Sequence, residues 1–247
     1  MAGVDQLKKN VDQYYDEMKY DQIAEQLEPY KGGDDVGLLW RLARANYERQ
    51  KTLGSDAAQL RLLQDTLATV QRALALDATD PNCHKWMAIY LNAITKLQGS
   101  KAQIDAATTI REHMLKACEY GPDDATNWHL IAMWEYSVAD ISWVMRKLAT
   151  VVYGEPPRAT FQQALDNFLK ADQLSDGFRQ LSAGRGLAWP IKSRNLMMIG
   201  KCYQKLKDKE NAIKYLKMVR ALEAKTADDE ESKEEAISML KQMGITD

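Results

Sequence analysis

Histidines are the first residues to consider in this chain, because their side chains bind metals and transfer protons near neutral pH. His84, His113 and His129 lie on three separate predicted helices, and neither an H-E-x-x-H sequence nor a cysteine pair accompanies them. The GRG at 184–186 lacks the next glycine of a dinucleotide-binding loop, and the GK at 200–201 lacks the upstream glycine of a phosphate-binding loop. We therefore predict no active site, metal or cofactor, and interpret the histidines as structural or surface residues.

Charge is distributed unevenly along the chain, although the net charge is only −2. Residues 185–220 contain ten Lys or Arg against two carboxylates, and residues 223–235 contain seven carboxylates against two lysines. A charge run is usually a solvated helix surface, and that interpretation stays open here. The near-neutral total and the lack of a recognised nucleic-acid-binding module argue against nucleic acid as the partner.

The basic run has a helical spacing that favours a binding role. Arg194, Lys201 and Lys205 recur on one face of a predicted helix, away from its apolar face. In stacked helical hairpins such a free face lines a groove. Lys214 and Lys217 extend the charge on the next helix, toward the convex side of the stack. A groove with clustered cations and few carboxylates would concentrate an acidic partner, so these five residues, called the basic region below, are the predicted partner-binding site.

The elements that must position this site are helices. The 247 residues are 45% hydrophobic, which allows a sizeable core and excludes general disorder. Apolar residues recur at helical rather than alternating spacing, which predicts an all-α fold. Three widely separated cysteines suit reduced core thiols in the cytosol. No apolar run approaches the roughly 20 residues that span a bilayer, and the N-terminus lacks a signal-peptide core, so no transmembrane anchor is predicted.

Residues 195–219 carry the clearest repeat pattern. Their spacing of small, apolar and aromatic positions matches the tetratricopeptide repeat, with a leucine at the usual tryptophan position. The small residues permit a close helix crossing, and the larger ones fill the space around it. The pattern consists of Leu196, Ile199, Gly200, Tyr203, Ala212, Leu216 and Val219.

Three earlier segments have related spacing. One is interrupted by about 20 more residues than the standard repeat contains, which predicts an extra turn or helix through ISWVMRKLATVVY. The other two are about ten residues longer than the standard unit. The matching positions are Trp128, Ile131, Ala132, Ala164, Phe168 and Ala171 in the first segment, Trp40, Ala43, Arg44 and Tyr47 in the second, and His84, Met87 and Ala88 in the third.

These units predict an α-solenoid of atypical tetratricopeptide-like helical hairpins with flanking helices. We place N-terminal flanking helices at 1–30, the repeat array at 35–222, and an acidic segment with a capping helix at 223–247. Pro156 and Pro157 are expected to begin the helix that carries Phe168, because proline is tolerated in a first helical turn. Residues 175–194 are predicted to form the longest loop.

The sequences that depart from the standard repeat have a family resemblance. They are YLNAITKL, ISWVMRKLATVVYGEPPRATFQQALDNFLKADQLS and NLMMIGKCYQKLKDKENAIKYLK. Over residues 35–222 the chain resembles the regulator of microtubule dynamics family, and GEPP followed by the alanine-phenylalanine helix is the most specific part.

This resemblance implies a non-enzymatic scaffold or adaptor that associates with tubulin and microtubules at the mitotic spindle and its poles. It implies a role in microtubule dynamics and chromosome segregation, with spindle or kinetochore proteins as further partners. Some vertebrate members of the family are anchored to mitochondrial or endoplasmic reticulum membranes. Because this chain has no hydrophobic anchor, it resembles a soluble, cytoplasmic member.

An alternative is a lipid- or acidic-peptide-binding adaptor at organelle contacts. Stacked helices can enclose an apolar cavity, and an anionic lipid would suit a lining of aromatic and methionine side chains. Residues of the same types more often form an ordinary core. The candidates are Trp128, Met133, Trp134, Trp143 and Met145.

Overall fold

The structure, a computed structural model, describes residues 2–153, 157–181 and 191–245. Within these ranges the chain forms twelve α-helices and no strand. The helices belong to two compact units, Met1–Gly121 and Pro122–Asp247. The predicted all-α fold of tetratricopeptide-like helical hairpins is confirmed.

The first unit contains two helical hairpins preceded by two flanking helices. Helix α3 packs against α4, and α5 packs against α6, while α1 and α2 pack on α3. The buried hydroxyl of Tyr90 donates to the carbonyl oxygen of Ala43 at 2.7 Å and so links α5 to α3. The helices are α1 (Ala2–Asp16), α2 (Tyr20–Leu27), α3 (Val36–Gln50), α4 (Asp56–Leu76), α5 (Pro81–Gln98) and α6 (Ser100–Tyr120), with a short 3-10 helix at Glu28–Tyr30.

The second unit contains the other two hairpins and a C-terminal helix. Helix α7 packs against α9, α10 against α11, and α12 covers both α10 and α11. The predicted helix in the inserted segment is present as α8, whose Arg146 donates to the carbonyl oxygens of Val138 and Pro157 at 2.8 and 3.0 Å. The helices are α7 (Ala125–Ala139), α8 (Trp143–Tyr153), α9 (Phe161–Leu181), α10 (Lys192–Lys205), α11 (Lys209–Ala221) and α12 (Ala227–Gln242).

Most of the hairpin helices begin at a short polar residue. Such a side chain accepts a hydrogen bond from a backbone N–H of the first turn, which has no partner within the helix. Pro81 follows one of these caps, at the position where proline is tolerated. The capping residues are Asp35, Ser55, Asp80, Asp124 and Asp208, each accepting from a residue two or three positions later.

Helix α9 begins later than the double proline predicted. Pro157 is not helical, and the first helical residue is Phe161. The start is fixed by a capping box, in which Thr160 Oγ1 accepts from Gln163 N at 3.1 Å and Gln163 Oε1 accepts from Thr160 N at 2.9 Å. Pro156 lies outside the described residues. The expectation that the prolines form the first turn is therefore wrong for Pro157.

The prediction of a loop at 175–194 is also wrong at both ends of that range. Helix α9 continues to Leu181 and α10 begins at Lys192, so loop structure is excluded for those parts. Residues 182–190, which make up the rest of the predicted loop, lie outside the described residues.

The helix crossing of the last repeat is as close as its small residues predict. A Cβ atom added to Gly200 would lie 3.0 Å from Leu216 Cδ2 and 3.5 Å from the carbonyl oxygen of Ala212. Ala212 is itself completely buried. The large apolar positions of the predicted pattern contribute to one core. Tyr203 packs against the cluster that buries Leu196, Ile199, Leu216 and Val219.

We predict that Ala212→Leu lowers the free energy of unfolding by about 1–3 kcal/mol, because the added carbons have no space at this crossing. Thermal and urea unfolding followed by circular dichroism measure the change. Ala221→Leu is the matched control, since Ala221 is exposed at the end of the same helix and should change stability by less than about 0.5 kcal/mol. Equal effects of the two substitutions would contradict the assigned repeat register.

Candidate partner-binding site

Three residues of the basic region lie on α10, beside its buried face. The helix buries Leu196, Ile199 and other apolar residues in the core of the second unit. Arg194 and Lys201 remain partly accessible and Lys205 is exposed. The predicted separation of a packing face from a basic face is therefore present.

Each of these three cations faces a carboxylate. Arg194 Nη1 lies 3.8 Å from Glu231 Oε2. Lys201 Nζ pairs with Glu235 Oε1, and Lys205 Nζ pairs with Asp140 Oδ1 at the end of α7. The expectation that few carboxylates lie near the basic face of α10 is wrong.

Packing of α12 explains two of these pairs. Ala236, Met239 and Leu240 of α12 are buried in the same apolar cluster as the residues of α10. This contact brings the acidic segment, which is distant in sequence, alongside α10. Glu231 and Glu235 are four residues apart and therefore lie on one helix face, which is the signal in the sequence that could have predicted the pairing.

Asp229 fixes the start of α12 against α10. Its carboxylate accepts from Ser193 Oγ at 2.5 Å and also from the backbone N–H groups of Lys225 and Thr226, both at 3.1 Å. Thr226 Oγ1 in turn accepts from Asp229 N at 3.1 Å and completes a capping box. Burial alone would raise the pKa of Asp229, but these hydrogen bonds outweigh it and hold the pKa below its usual value. Sequence inspection missed this link, although the T-x-x-D spacing indicates the cap.

The other two residues of the basic region lie on α11 and are exposed. The buried stripe of α11 consists of Ala212, Leu216 and Val219, and at 100° per residue Lys214 and Lys217 project from the opposite side. No carboxylate in the described ranges pairs with either lysine. Lys214 Nζ lies 5.7 Å from the ring centroid of Tyr215, its neighbour in sequence. The basic region thus divides into paired cations on α10 and unpaired lysines on α11.

His129 is a buried structural residue. Its Nδ1 lies 2.9 Å from Asn195 Oδ1, and Asn195 Nδ2 donates to the carbonyl oxygen of Phe168 at 3.0 Å. Since the amide nitrogen of Asn195 is used as the donor, Asn195 Oδ1 is the acceptor and His129 Nδ1 carries a proton. Burial lowers the pKa of His129 to about 4, against the opposing effect of this hydrogen bond. The network joins α7, α9 and α10.

His84 and His113 form a contact that the sequence did not predict. Their Nδ1 atoms are 2.8 Å apart, and His84 Nε2 lies 3.0 Å from the carbonyl oxygen of Ala78. His84 therefore donates from Nε2 and accepts at Nδ1, while His113 donates from Nδ1. Burial lowers the pKa of both histidines. The pair links α5 to α6 through the hydrogen bond between the two rings, which agrees with the structural interpretation of these residues.

Groups suited to metal binding are not assembled in the part of the chain that the structure covers. No three His, Cys, Asp or Glu side chains there converge as metal ligands would. All three cysteines are buried free thiols. Burial raises the pKa of Cys83 and of Cys202 to about 12, so neither forms a thiolate near neutral pH.

The aromatic and methionine residues considered for a lipid cavity do not come together in one. Trp143 and Met145 of α8 are 68% and 57% exposed. Trp128, Met133 and Trp134 of α7 are half-buried, and Met133 packs against the core of the second unit. The α8 residues therefore neither line an enclosed cavity nor lie in the core. Both expectations for Trp143 and Met145 are wrong.

Comparison with known proteins supports the family resemblance that was predicted from the sequences departing from the standard repeat. Residues 7–244 match the family described as regulator of microtubule dynamics protein 1-3. The chain belongs to this family. Regulator of microtubule dynamics protein 1 of Bos taurus is 32% identical over 239 residues, which are 96% of this chain and 71% of the relative.

Two other members of the family match over a smaller share of their own length. Regulator of microtubule dynamics protein 3 of Xenopus laevis is 32% identical over 81% of this chain and 40% of the relative. Regulator of microtubule dynamics protein 2 of Homo sapiens is 27% identical over 82% of this chain and 46% of the relative. Among solved structures, the crystal structure of MamA aligns with 92% of this chain and 96% of its own at a TM-score of 0.47 and 14% identity, a likeness too distant to add to the fold description.

Among the residues that the structure describes, no helix is both long enough and apolar enough to cross a bilayer.

We predict that His129 makes stability depend on pH between 6.5 and about 4. Its pKa in the folded chain, about 4, is below the ordinary value of 6.5, so the unfolded chain binds more protons in this window. The contribution of His129 is therefore complete above pH 6.5 and is lost as pH falls, up to roughly 3 kcal/mol. Urea unfolding at several pH values, compared between the wild type and His129→Gln, measures it.

The relevant comparison is between the slopes of the unfolding free energy against pH for the wild type and the variant, because the substitution also changes stability at every pH. Other titrating groups, including the pair formed by His84 and His113, contribute equally to both proteins. Parallel curves for the wild type and the variant would mean that His129 is not held neutral in the core.

Proposed function

We propose that this protein is a non-enzymatic scaffold that binds microtubules directly and regulates their dynamics. The observation that carries the proposal is the family match over residues 7–244. The related proteins of Bos taurus, Xenopus laevis and Homo sapiens bear the name regulator of microtubule dynamics. We take the repeat array at 35–222 as the scaffold, with flanking segments at 1–30 and 223–247.

The placement of the polar and apolar residues is consistent with a surface-binding function. The small and apolar positions of the hairpins are used in packing, and the histidines and cysteines are buried or joined in hydrogen bonds. In the second unit, the basic region presents charged side chains on helix surfaces that a partner can contact. Cations on such a surface attract acidic partners over a distance set by the ionic strength, and the tubulin surface is rich in glutamate.

The proposal extends to the cellular site of action. We propose that the protein acts in the cytoplasm on spindle microtubules and spindle poles, that it contributes to chromosome segregation, and that it contacts other spindle or kinetochore proteins. This part rests on the resemblance of its repeats to the family. Imaging of the tagged full-length chain in dividing cells tests it, and exclusion from the spindle throughout mitosis would contradict it.

We predict that the full-length chain co-sediments with taxol-stabilised microtubules and that the bound fraction falls steeply as salt is added. The attraction is between exposed charges, and the screening length shortens from about 10 Å at 0.1 M salt to about 3 Å at 1 M. The measurement is a co-sedimentation titration at fixed protein concentration over a series of salt concentrations. Parallel samples without microtubules control for self-sedimentation.

Two outcomes would contradict this prediction in different ways. Failure to co-sediment at low salt would reject direct binding. Binding that does not change with salt would place the contact on apolar surface instead of charged residues. A regulator must also change the polymer, so growth and shrinkage rates of single microtubules should change when the protein is added at concentrations that give binding.

A further inference from the structure

The cations on α10 are already engaged with carboxylates of the same chain. Lys201 and Glu235 have side chains that are 23% and 40% exposed, and α12 is held in place by its buried apolar residues. Its carboxylates therefore stay beside α10 when a partner approaches. An acidic partner must displace a carboxylate that is tethered next to its cation, and it meets repulsion from Glu231 and Glu235. Such a face gives little net attraction.

The outward surface of α11, which faces away from its buried stripe, carries cations that are not paired with carboxylates of the described residues. Of its thirteen residues, Lys209, Lys214, Lys217 and Arg220 are basic and only Glu210 is acidic. Lys214 and Lys217 project from the side opposite the buried stripe that packs on α10 and α12. The paired carboxylates Glu231 and Glu235 lie on α12 against α10, not on this outward side.

We infer that the acidic partner binds on α11, at the exposed ammonium groups of Lys214 and Lys217, and that it is an extended, glutamate-rich polypeptide segment. This inference rests on the proposed function and assigns its binding surface. The cations Arg194, Lys201 and Lys205 then serve to hold helices together.

The geometry of α11 favours an extended segment. Residues three apart on a helix have Cβ atoms about 5–6 Å apart. In an extended chain, side chains on the same side recur about every 6.4–6.8 Å, so glutamates at alternate positions can reach both lysines. Met218 is 40% exposed and follows Lys214 by four residues, so it adds an apolar contact for the methylene groups of a glutamate side chain.

Substitution of Glu210 tests the inference, because it should strengthen the binding of an acidic segment. Glu210 lies four residues before Lys214 and therefore on the same helix face. As the single carboxylate of α11, it repels an acidic segment on this surface. Glu210→Gln should strengthen binding by about twofold to threefold, because it removes one exposed repulsion.

The main experiment uses a fluorescein-labelled peptide of about twelve glutamates and measures anisotropy with the full-length chain. Lys214→Glu combined with Lys217→Glu should weaken binding on the order of tenfold, since each change removes an attraction and adds a repulsion. A Gly/Ser peptide of equal length should bind neither protein. Circular dichroism and thermal unfolding confirm that the variant remains folded.

Two control variants distinguish an effect of the α11 surface from an effect of net charge and from an effect of the cations on α10. Lys9→Glu with Lys96→Glu makes the same charge change at exposed positions of the first unit, and Lys201→Glu with Glu235→Lys exchanges the members of an ion pair at constant net charge. Both should bind the peptide within about twofold of the wild type, because neither alters the outward surface of α11. Equal losses from the α11 and first-unit variants would overturn the inference, and so would a larger loss from the exchanged pair.

Co-sedimentation of the same variants with microtubules separates this inference from the proposed function. If the wild type binds microtubules but the α11 variant binds equally well, the inference fails and the proposed function stands. If the peptide binds and the α11 variant loses it, while the wild type does not bind microtubules, the surface assignment stands and the proposed function fails. Microtubule binding without any binding of the glutamate peptide overturns the inference.

Discussion

Close approach of two helix backbones at small residues is the constraint on which each hairpin depends. At the crossing of α10 and α11, the space beside Gly200 is filled by Leu216, and a Cβ atom there would be only 3.0 Å from it. In the hairpin of α5 and α6, the alanines Ala88 and Ala117 are fully or almost fully buried. Since one face of each helix must carry these small and apolar residues, the remaining faces are the part of the sequence that is free to vary for a partner.

A buried polar network adds to this constraint in the second unit. Asn195 is completely buried, and its two amide atoms are bonded to His129 on α7 and to Phe168 on α9. An unpaired amide in this position would cost about 1–3 kcal/mol, so rotation of α10 about its axis is strongly disfavoured. The rotation that satisfies Asn195 is also the rotation that turns Lys201 toward α12. Core hydrogen bonding and the packing of α12 together place Lys201 beside Glu235.

Local patterns predicted the hairpins well because they depend on residues within one or two helices. The spacing from Leu196 to Val219, and the extra helix in the inserted segment, were predictable for that reason. The start of α9 was not predicted, because the double proline outweighed the capping signal of Thr160 and Gln163. The contacts of the basic region were not predictable from spacing within α10, since they depend on the tertiary packing of α12.

The charge of a sequence window is therefore a poor guide to the charge that a partner meets. Residues 185–220 carry eight more basic than acidic residues, and residues 223–235 carry five more acidic than basic ones. Folding places part of the acidic window beside part of the basic one and neutralises both. Accessible basic charge remains on the helix between them, α11, because α11 uses its opposite face for the same packing. In the binding surface that we propose, the acidic helix thus localises the basic charge: it engages cations of α10 and leaves the lysines of α11 for an acidic chain.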